Sequence, residues 1–414
     1  MARSQEHRTA SASGADGTRV AHIARVFPEL PDAPRASALL HDINNGICPF
    51  AAETPRQPLV LYGAGNMGRL ARDHLRLVGL DFAMVIDRQA DRLAADPAWQ
   101  GVVLARPQDV PASVKRDSLL AVSVATSAYA PLEAELMADG WQNVVPFYDL
   151  AESFRDRHPL SNGWFAGPLD ANNLAHTTDV LESWDDDTSR AHHLQFIAWR
   201  RLRQEWTFDA APVASCVRFF IPEIVCVLRS DEVFLDAGAH HGSVVEAFVA
   251  QTDGAFSRVL ALEPDAESRS HLETLVATLP SDIAGRIRTG AAALDAVARP
   301  RRFHSGLGYA SQFAETGQDV VQTTTVDALK ITPSFIKLHL EGGEYDALRG
   351  AMQTIHQHRP IVAVTTYHND DGLWKTPLFM MEHFENYRFL MRLHSWCGTG
   401  AVVYAIPRER VENR

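Results

Sequence analysis

The chain has 414 residues, 46% of them apolar and 22% charged, a globular composition that excludes a wholly disordered chain, a collagen-like repeat and a disulfide scaffold. Its 39 basic and 51 acidic residues leave a net charge of −12, whereas non-specific nucleic-acid binding needs a basic footprint. No apolar run approaches the ~18–20 residues of a membrane span. The N-terminus MARSQEHRTASASGADG lacks a signal-peptide core, and Cys48, Cys216, Cys226 and Cys397 are too scattered for a zinc knuckle. The expectation is a cytoplasmic protein with a small-molecule partner, without nucleic acid or membrane; homo-oligomerisation stays open.

Residues 1–18 are small and polar and read as disordered. From Val20 to Phe50 the spacing of Ile23, Val26, Phe27 and Leu30, then Ala38, Leu39 and Ile43, predicts a helical preface cut by Pro31, Pro34 and Gly46. Strands are then expected at Leu59–Tyr62, Phe82–Ile86, Gly101–Leu104, Leu119–Val124 and Gln142–Phe147, with helices at Asn66–Val78 and Pro131–Ala138. This alternation predicts a small parallel sheet with helices on both faces. The next stretch turns helical and polar, with a helix expected over Ala191–Trp206. Its His192, His193, Trp199 and Trp206 read as a domain-packing surface.

A second alternation comes next. Strands are expected at Val233–Leu235, Val259–Leu262, Ile287–Ala293, Phe335–Leu340 and Ile361–Thr366, and helices at Ser243–Thr252, Ser268–Leu279 and Tyr345–His356. Tyr387–His394 and Ala401–Ile406 read as a closing antiparallel pair. The fold class is therefore α/β, with two doubly wound units in tandem. The expected domains are a tail and preface (1–57), a Rossmann-like unit (58–150), a helical connector (151–230) and a larger α/β unit (231–414).

Each unit carries a glycine loop. The first, Gly63-Ala64-Gly65-Asn66-Met67-Gly68, is a G-x-G-x-x-G between a strand and a helix, with Asp87 ending the next strand. Such a loop suits a tight turn, close approach of a pyrophosphate and an anion at the helix start, while the acid suits a ribose. It reads either as a site for NAD or a nucleotide-sugar or as a loop kept for packing. An NAD(P)-dependent oxidoreductase or epimerase, or a non-catalytic sensor, is the competing functional reading.

The second loop, Asp236-Ala237-Gly238-Ala239-His240-His241-Gly242, has an acid at the strand end and glycines two and six residues later. Glu263, in Glu263-Pro264-Asp265, ends the next strand 27 residues after Asp236. This combination suits an amino-acid moiety and a ribose, the pattern for S-adenosylmethionine.

From about Cys216 to Ile406 the chain carries FFIPEI (219–224), EVFLDAGAHHG (232–242), LEPD (262–265), GYASQFAETG (308–317), TTTVDAL (323–329), IKLHLEGGEYDALRGA (336–351), RPIVAVTTYH (359–368), DGLWKTPLF (371–379), YRFLMRLHS (387–395) and VVYAIP (402–407). In these motifs and their order it resembles the FkbM family of S-adenosylmethionine-dependent methyltransferases. It implies a mostly parallel seven-stranded sheet and methyl transfer to a hydroxyl, often on a sugar or secondary metabolite. Asp236, Gly238, His240, Gly242, Glu263 and Asp265 become the expected cofactor residues. Lys337, Glu341 and Glu344 match the family's K-x-D-x-E-G-x-E motif, but His339 stands where the family carries aspartate.

A hydroxyl acceptor needs a base or a metal. His339, Glu341 and His368 are the catalytic candidates, and the same three could hold a divalent cation. Lys337 is expected to pair with a carboxylate, and Glu344 to complement a helix start. Trp374 and Pro377 read either as a lid over the acceptor or as core packing. His339 either works as a base or ligand or marks a lost activity.

Overall fold

The computed structural model describes residues 20–160, 163–215 and 218–412. The predicted disordered segment 1–18 and Cys216 lie outside them. The first element corrects the helical preface. Ala24–Phe27 is a strand (β1), and the helix begins only at Ala33, where Asp32 caps it by accepting the Arg35 N–H. Extended pairing with a distant segment overrides the helical spacing.

The expected first sheet is formed by β2 (Leu59–Tyr62), β3 (Met84–Ile86), β4 (Leu104–Ala105), β5 (Leu119–Val122) and β6 (Val144–Pro146). All pairings are parallel, in the order β4-β3-β2-β5-β6. β2 and β5 are buried along their whole length, which is why they read as continuous apolar runs.

The connector departs furthest from expectation. Its long helix spans Asp187–Leu202 and stops at Arg203, which adopts a left-handed φ of +57°. Glu205–Phe208 then forms β7, a parallel partner for β1, so Trp206 belongs to a strand. Thirteen of the helix's sixteen residues are buried despite its polar sequence. Burial is tolerated because most of the polar side chains find partners, although Gln195 Oε1 and the Nε atoms of Arg190, Arg200 and Arg201 do not. His193 Nε2 donates to the Leu373 carbonyl at 2.6 Å while its Nδ1 accepts Trp184 Nε1–H at 3.1 Å. Arg200 donates to the carbonyls of Tyr367 and Asn369. Across the other side, Glu205 accepts the Tyr129 and Ala130 N–H groups at 2.8 Å each, and Arg203 pairs with Asp149 at 3.0 Å. The helix and its C-terminal turn thus clamp the first sheet to the larger α/β unit.

That larger unit contains β8 (Val233–Ala237), β9 (Arg258–Leu262), β10 (Ile287–Gly290), β11 (Ala293–Leu294), β12 (Pro300–His304), β13 (Gln312–Phe313), β14 (Asp319–Thr324), β15 (Phe335–Leu338), β16 (Ile361–Thr365), β17 (Tyr387–Leu393) and β18 (Ala401–Pro407). Seven form the expected mostly parallel sheet, in the order β10-β9-β8-β15-β16-β18-β17, with β18 antiparallel to both neighbours. The expected strand Ile287–Ala293 is split. β10 joins this sheet, whereas β11 pairs with β14 in a separate four-stranded sheet, β11-β14-β12-β13. The expected helix Tyr345–His356 is also split, at Gly350, into Glu344–Arg349 and Met352–His358.

Among the parallel strands of both large sheets the chain reverses its direction of growth once, between β2 and β5 and between β8 and β15. A crevice opens at the carboxyl ends of the strands at such a point. Both glycine loops sit there.

Candidate active site

At the second reversal, β8 delivers Gly238 and β15 delivers His339 to the same edge. Gly238 has φ +73°, and a Cβ there would collide with the His339 carbonyl. The glycine lets two strand ends approach closely, and a cleft opens above them. Counted out to its open mouth and including the solvent space there, the cleft spans about 580 Å³. Gly238, His240 and Glu263 line it, as do His339 and Glu341. The small sheet that the sequence analysis missed supplies Phe303 and Phe313, and the segment between them adds Gly308 and Ser311.

Glu263 is held by its own neighbourhood. Its Oε2 accepts the His240 N–H at 2.7 Å and its Oε1 the Asp265 N–H at 2.9 Å. Burial raises its pKa despite these bonds. Other expected cofactor residues lie elsewhere. Asp236 is fully buried beneath the loop, 2.8 Å from Lys337 Nζ, so Lys337 has the carboxylate partner expected for it. Lys337 also donates to the Gly238 carbonyl at 2.7 Å, which ties the ion pair to the loop's shape. Gly242 turns into the helix Ser243–Gln251 against Leu272 and Leu275. Asp265 caps the helix Ala266–Thr278 through the Ser268 N–H, and its Oδ2 accepts the Gly306 N–H at 2.8 Å. It anchors the cleft wall rather than facing the cavity.

The catalytic candidates converge. His339 Nε2 lies 3.0 Å and His368 Nε2 3.2 Å from the same oxygen, Glu341 Oε1. β15 and β16 are parallel neighbours, so the residues just past their ends meet. Glu341 has φ +47°, uncommon for a residue with a side chain, and Gly342 has φ +101°. His368 Nδ1 bonds Glu344 Oε1 at 2.7 Å. Glu344 also accepts the Leu340 and Gly342 N–H groups and the Thr365 hydroxyl. It is therefore a fastening point as well as the first residue of its helix.

Charge follows from this packing. Burial opposes ionisation of Glu341, yet His368 and His339 beside it hold its carboxyl well below the usual range. Burial likewise opposes a charge on His368, but Glu341 and Glu344 outweigh it and push its pKa well up. Burial pulls His339 down to about 3 against the attraction of Glu341, and Arg218 adds to the fall. The cluster thus favours charge on Glu341, Glu344 and His368 and disfavours it on His339. Sequence reading missed Tyr367, whose hydroxyl is 3.2 Å from His339 Nε2, and Arg218, which donates to that hydroxyl at 2.6 Å. Arg218 lies in the connector, where no motif marks it.

Trp374 packs half-buried against the core, with its ring 4.9 Å from that of His176, and Pro377 is buried in the helix Lys375–His383. At the first loop, Asp87 Oδ2 accepts the Ala64 N–H at 2.8 Å and Oδ1 the Gln89 N–H at 2.7 Å. Gly65 and Asn66 are exposed, Asn66 bonds Arg69, and Met67 packs against the core of that sheet.

Residues 236–391 match the protein family described as Methyltransferase FkbM domain. Among solved structures, a methyltransferase FkbM from Methylobacillus flagellatus KT is similar at a TM-score of 0.56 and 18% identity, covering 89% of this chain and 96% of that one. At that identity the likeness shows the fold. A SAH-bound methyltransferase from Podospora anserina, PaMTH1, matches over 57% of this chain and 88% of its own at 11% identity, but its TM-score of 0.26 carries no argument. No curated protein matches the sequence significantly. Among the described residues no helix is long and apolar enough to cross a membrane.

Proposed function

We propose that this chain, a methyltransferase whose residues 236–391 form an FkbM domain, uses S-adenosylmethionine to methylate a hydroxyl of a sugar-like or secondary-metabolite acceptor. The observation that carries the reading is the single cleft that joins Gly238 and Glu263 to His339 and Glu341. One end has the groups a nucleoside needs, and the other has the groups an acceptor needs.

The donor set fits the cofactor. A carboxylate offers about four acceptor positions, and two on Glu263 are used by backbone N–H groups, so two remain for a pair of ribose hydroxyls. Leu262, Ala292, Phe303 and Phe313 provide apolar wall for a flat base. Gly238 permits close backbone approach. When bound, the cofactor supplies a methyl group on a sulfonium, open to in-line displacement. The protein's own contribution is position and charge. Glu341, fixed by its φ and held anionic, accepts a hydrogen bond from the acceptor hydroxyl and orients it. His339, held neutral, lines the same wall without repelling a cationic donor.

Calorimetry with S-adenosylhomocysteine on cofactor-free protein tests the reading. Binding near micromolar, roughly −8 kcal/mol, is expected, and Glu263→Ala should weaken it at least tenfold. Absence of both heat and thermal shift removes the proposal. For the acceptor class, label from methyl-labelled cofactor should remain on the product after alkali, since a methyl ether survives and a methyl ester does not.

A further inference from the structure

We propose that His339 Nε2, Glu341 Oε1 and His368 Nε2 form a binding site for one divalent transition-metal cation of the zinc, manganese or iron class, with Glu344 orienting His368. The proposal deepens the methyl-transfer reading of the cleft and rests on it for the ion's role, though not for the ion's binding.

The geometry is that of a ligand set. One candidate ligand atom from each of the three residues lies within 4.8 Å of the others. Ligands held at ~2.1 Å from a common centre are separated by about 3.0 Å at right angles and about 3.4 Å in a tetrahedron. The two imidazole nitrogens are 3.0 and 3.2 Å from Glu341 Oε1. His368 Nε2 is buried, and at 3.2 Å from that oxygen it makes no hydrogen bond of good geometry. With the Nδ1 proton held on Glu344, a cation would displace the proton on Nε2 and take up the lone pair freed there.

The second layer is also built. His368 Nδ1 is tied to Glu344 Oε1 at 2.7 Å, the carboxylate–histidine arrangement that fixes ring orientation at metal sites. Glu344 is itself saturated by Leu340 N–H, Gly342 N–H and the Thr365 hydroxyl, so it positions a ligand and is not one. The left-handed turn at Glu341 and Gly342 brings the carboxylate back over His339. Two nitrogens and one oxygen suit zinc, manganese or iron, whereas magnesium and calcium prefer oxygen alone. His339 and Glu341 line the cleft, so open coordination positions would face the acceptor. An ion there makes the acceptor hydroxyl more acidic. As the acceptor oxygen bonds to the methyl carbon, the carbon–sulfur bond breaks, the sulfur keeps the electron pair, and the hydroxyl proton passes to solvent.

The test uses the full chain stripped with a chelator and then equilibrated separately with Zn²⁺, Mn²⁺ and Mg²⁺, with bound metal measured by mass spectrometry. One Zn²⁺ or Mn²⁺ per chain is expected, with no stoichiometric Mg²⁺. Glu341→Gln and His368→Gln should each lower the affinity at least tenfold, and Glu344→Gln about 10–100-fold. Substoichiometric binding, a preference for Mg²⁺, or affinity unchanged in Glu341→Gln overturns the proposal. Each variant is checked for S-adenosylhomocysteine binding in metal-free buffer. His339→Asn, at the cleft wall, serves where His368→Gln does not fold. S-adenosylhomocysteine binding without metal binding removes the metal site alone. Metal binding without cofactor binding removes the methyl-transfer reading and leaves the site.

Discussion

The two glycine loops share one local recipe and end in different surroundings. Each succeeds the first strand of its sheet in chain order, among parallel neighbours, at the point where the sheet's growth reverses. In each, an acid at the end of the next strand accepts a loop N–H 23 residues earlier: Asp87 from Ala64 at 2.8 Å, Glu263 from His240 at 2.7 Å. The difference is what faces the loop. At the first, Trp99 Nε1 donates to the Ala64 carbonyl at 3.1 Å and Ser123 Oγ to the Gly63 carbonyl at 3.0 Å, so side chains tie down the loop's first carbonyls while Gly65 and Asn66 stay exposed. At the second, that place is a cleft walled by a separate small sheet and by His339 and Glu341. A glycine loop thus specifies a close backbone turn, and the elements packed beside it decide what surrounds that turn.

The largest expected effect tests the close approach itself. Gly238→Ala places a methyl group against the His339 carbonyl at a left-handed φ, and Gly68→Ala places one against the Gly63 carbonyl. Both should lose about 3 kcal/mol or more in denaturant unfolding. Only Gly238→Ala should also abolish S-adenosylhomocysteine binding when assayed at a temperature where it stays folded. Equal loss of binding in both variants would erase the distinction between the loops.

The two acids separate the loops next. Glu263→Gln should weaken S-adenosylhomocysteine at least tenfold, because the neutral amide is a poorer acceptor for hydroxyls. Asp87→Asn should leave that affinity unchanged while costing about 1 kcal/mol of stability through its two N–H bonds. Calorimetry and urea unfolding on both proteins read this directly.

A smaller effect concerns charge. Against the charged His368 of the second site, the first unit buries His74 uncharged, 5.4 Å from His158, whose ring lies 4.2 Å from that of His304. Burial pulls His74 down to about 3 and His158 down to about 4 from the ordinary 6.5. The folded chain then binds fewer protons than the unfolded one between these values. This contribution is complete above pH 6.5 and is lost as pH falls toward 4, by up to about 1.4 kcal/mol per unit per histidine. Urea midpoints at pH 7.5 and 5.5 should differ accordingly, and the difference should shrink in His74→Phe. An undiminished difference in that variant would assign the loss to other groups.

Smallest of all is Gly65→Ala. No atom lies within 4 Å of the added carbon, so stability should change by less than about 0.5 kcal/mol, with no change in cofactor affinity.

Legibility tracks the range of each signal. β2, β5, β8 and β16 are short apolar runs between turn residues, and their local pattern suffices. β1 and β7 carry helical spacing in the sequence, because each is a strand only by pairing with the other across 181 residues, Ala24 against Glu205. β11 is likewise a strand only by pairing with β14, Ala293 against Thr323, so the cleft wall that carries Phe303 and Phe313 has no local signature. The burial of the Asp187–Leu202 helix is hidden by its arginines and histidines, whose partners are carbonyls from distant loops. Among the site residues, Glu263, His339, Glu341 and His368 are legible as acids and histidines at strand ends. Arg218 and the fastening role of Glu344 are not, because both depend on which strands lie side by side.

Local sequence suffices for two α/β units, two glycine loops of different spacing, and a histidine at position 339 beside Glu341. Length and the charge of −12 allow that arrangement without indicating it. Which residues face a cavity is settled by the folded arrangement alone: Asp236 is sealed beneath Lys337 and Asp265 is spent on a helix cap, while His368 is carried onto Glu341. A side chain's role at a sheet edge is set by the strand beside it, and strand order is a property of the folded chain rather than of any local segment.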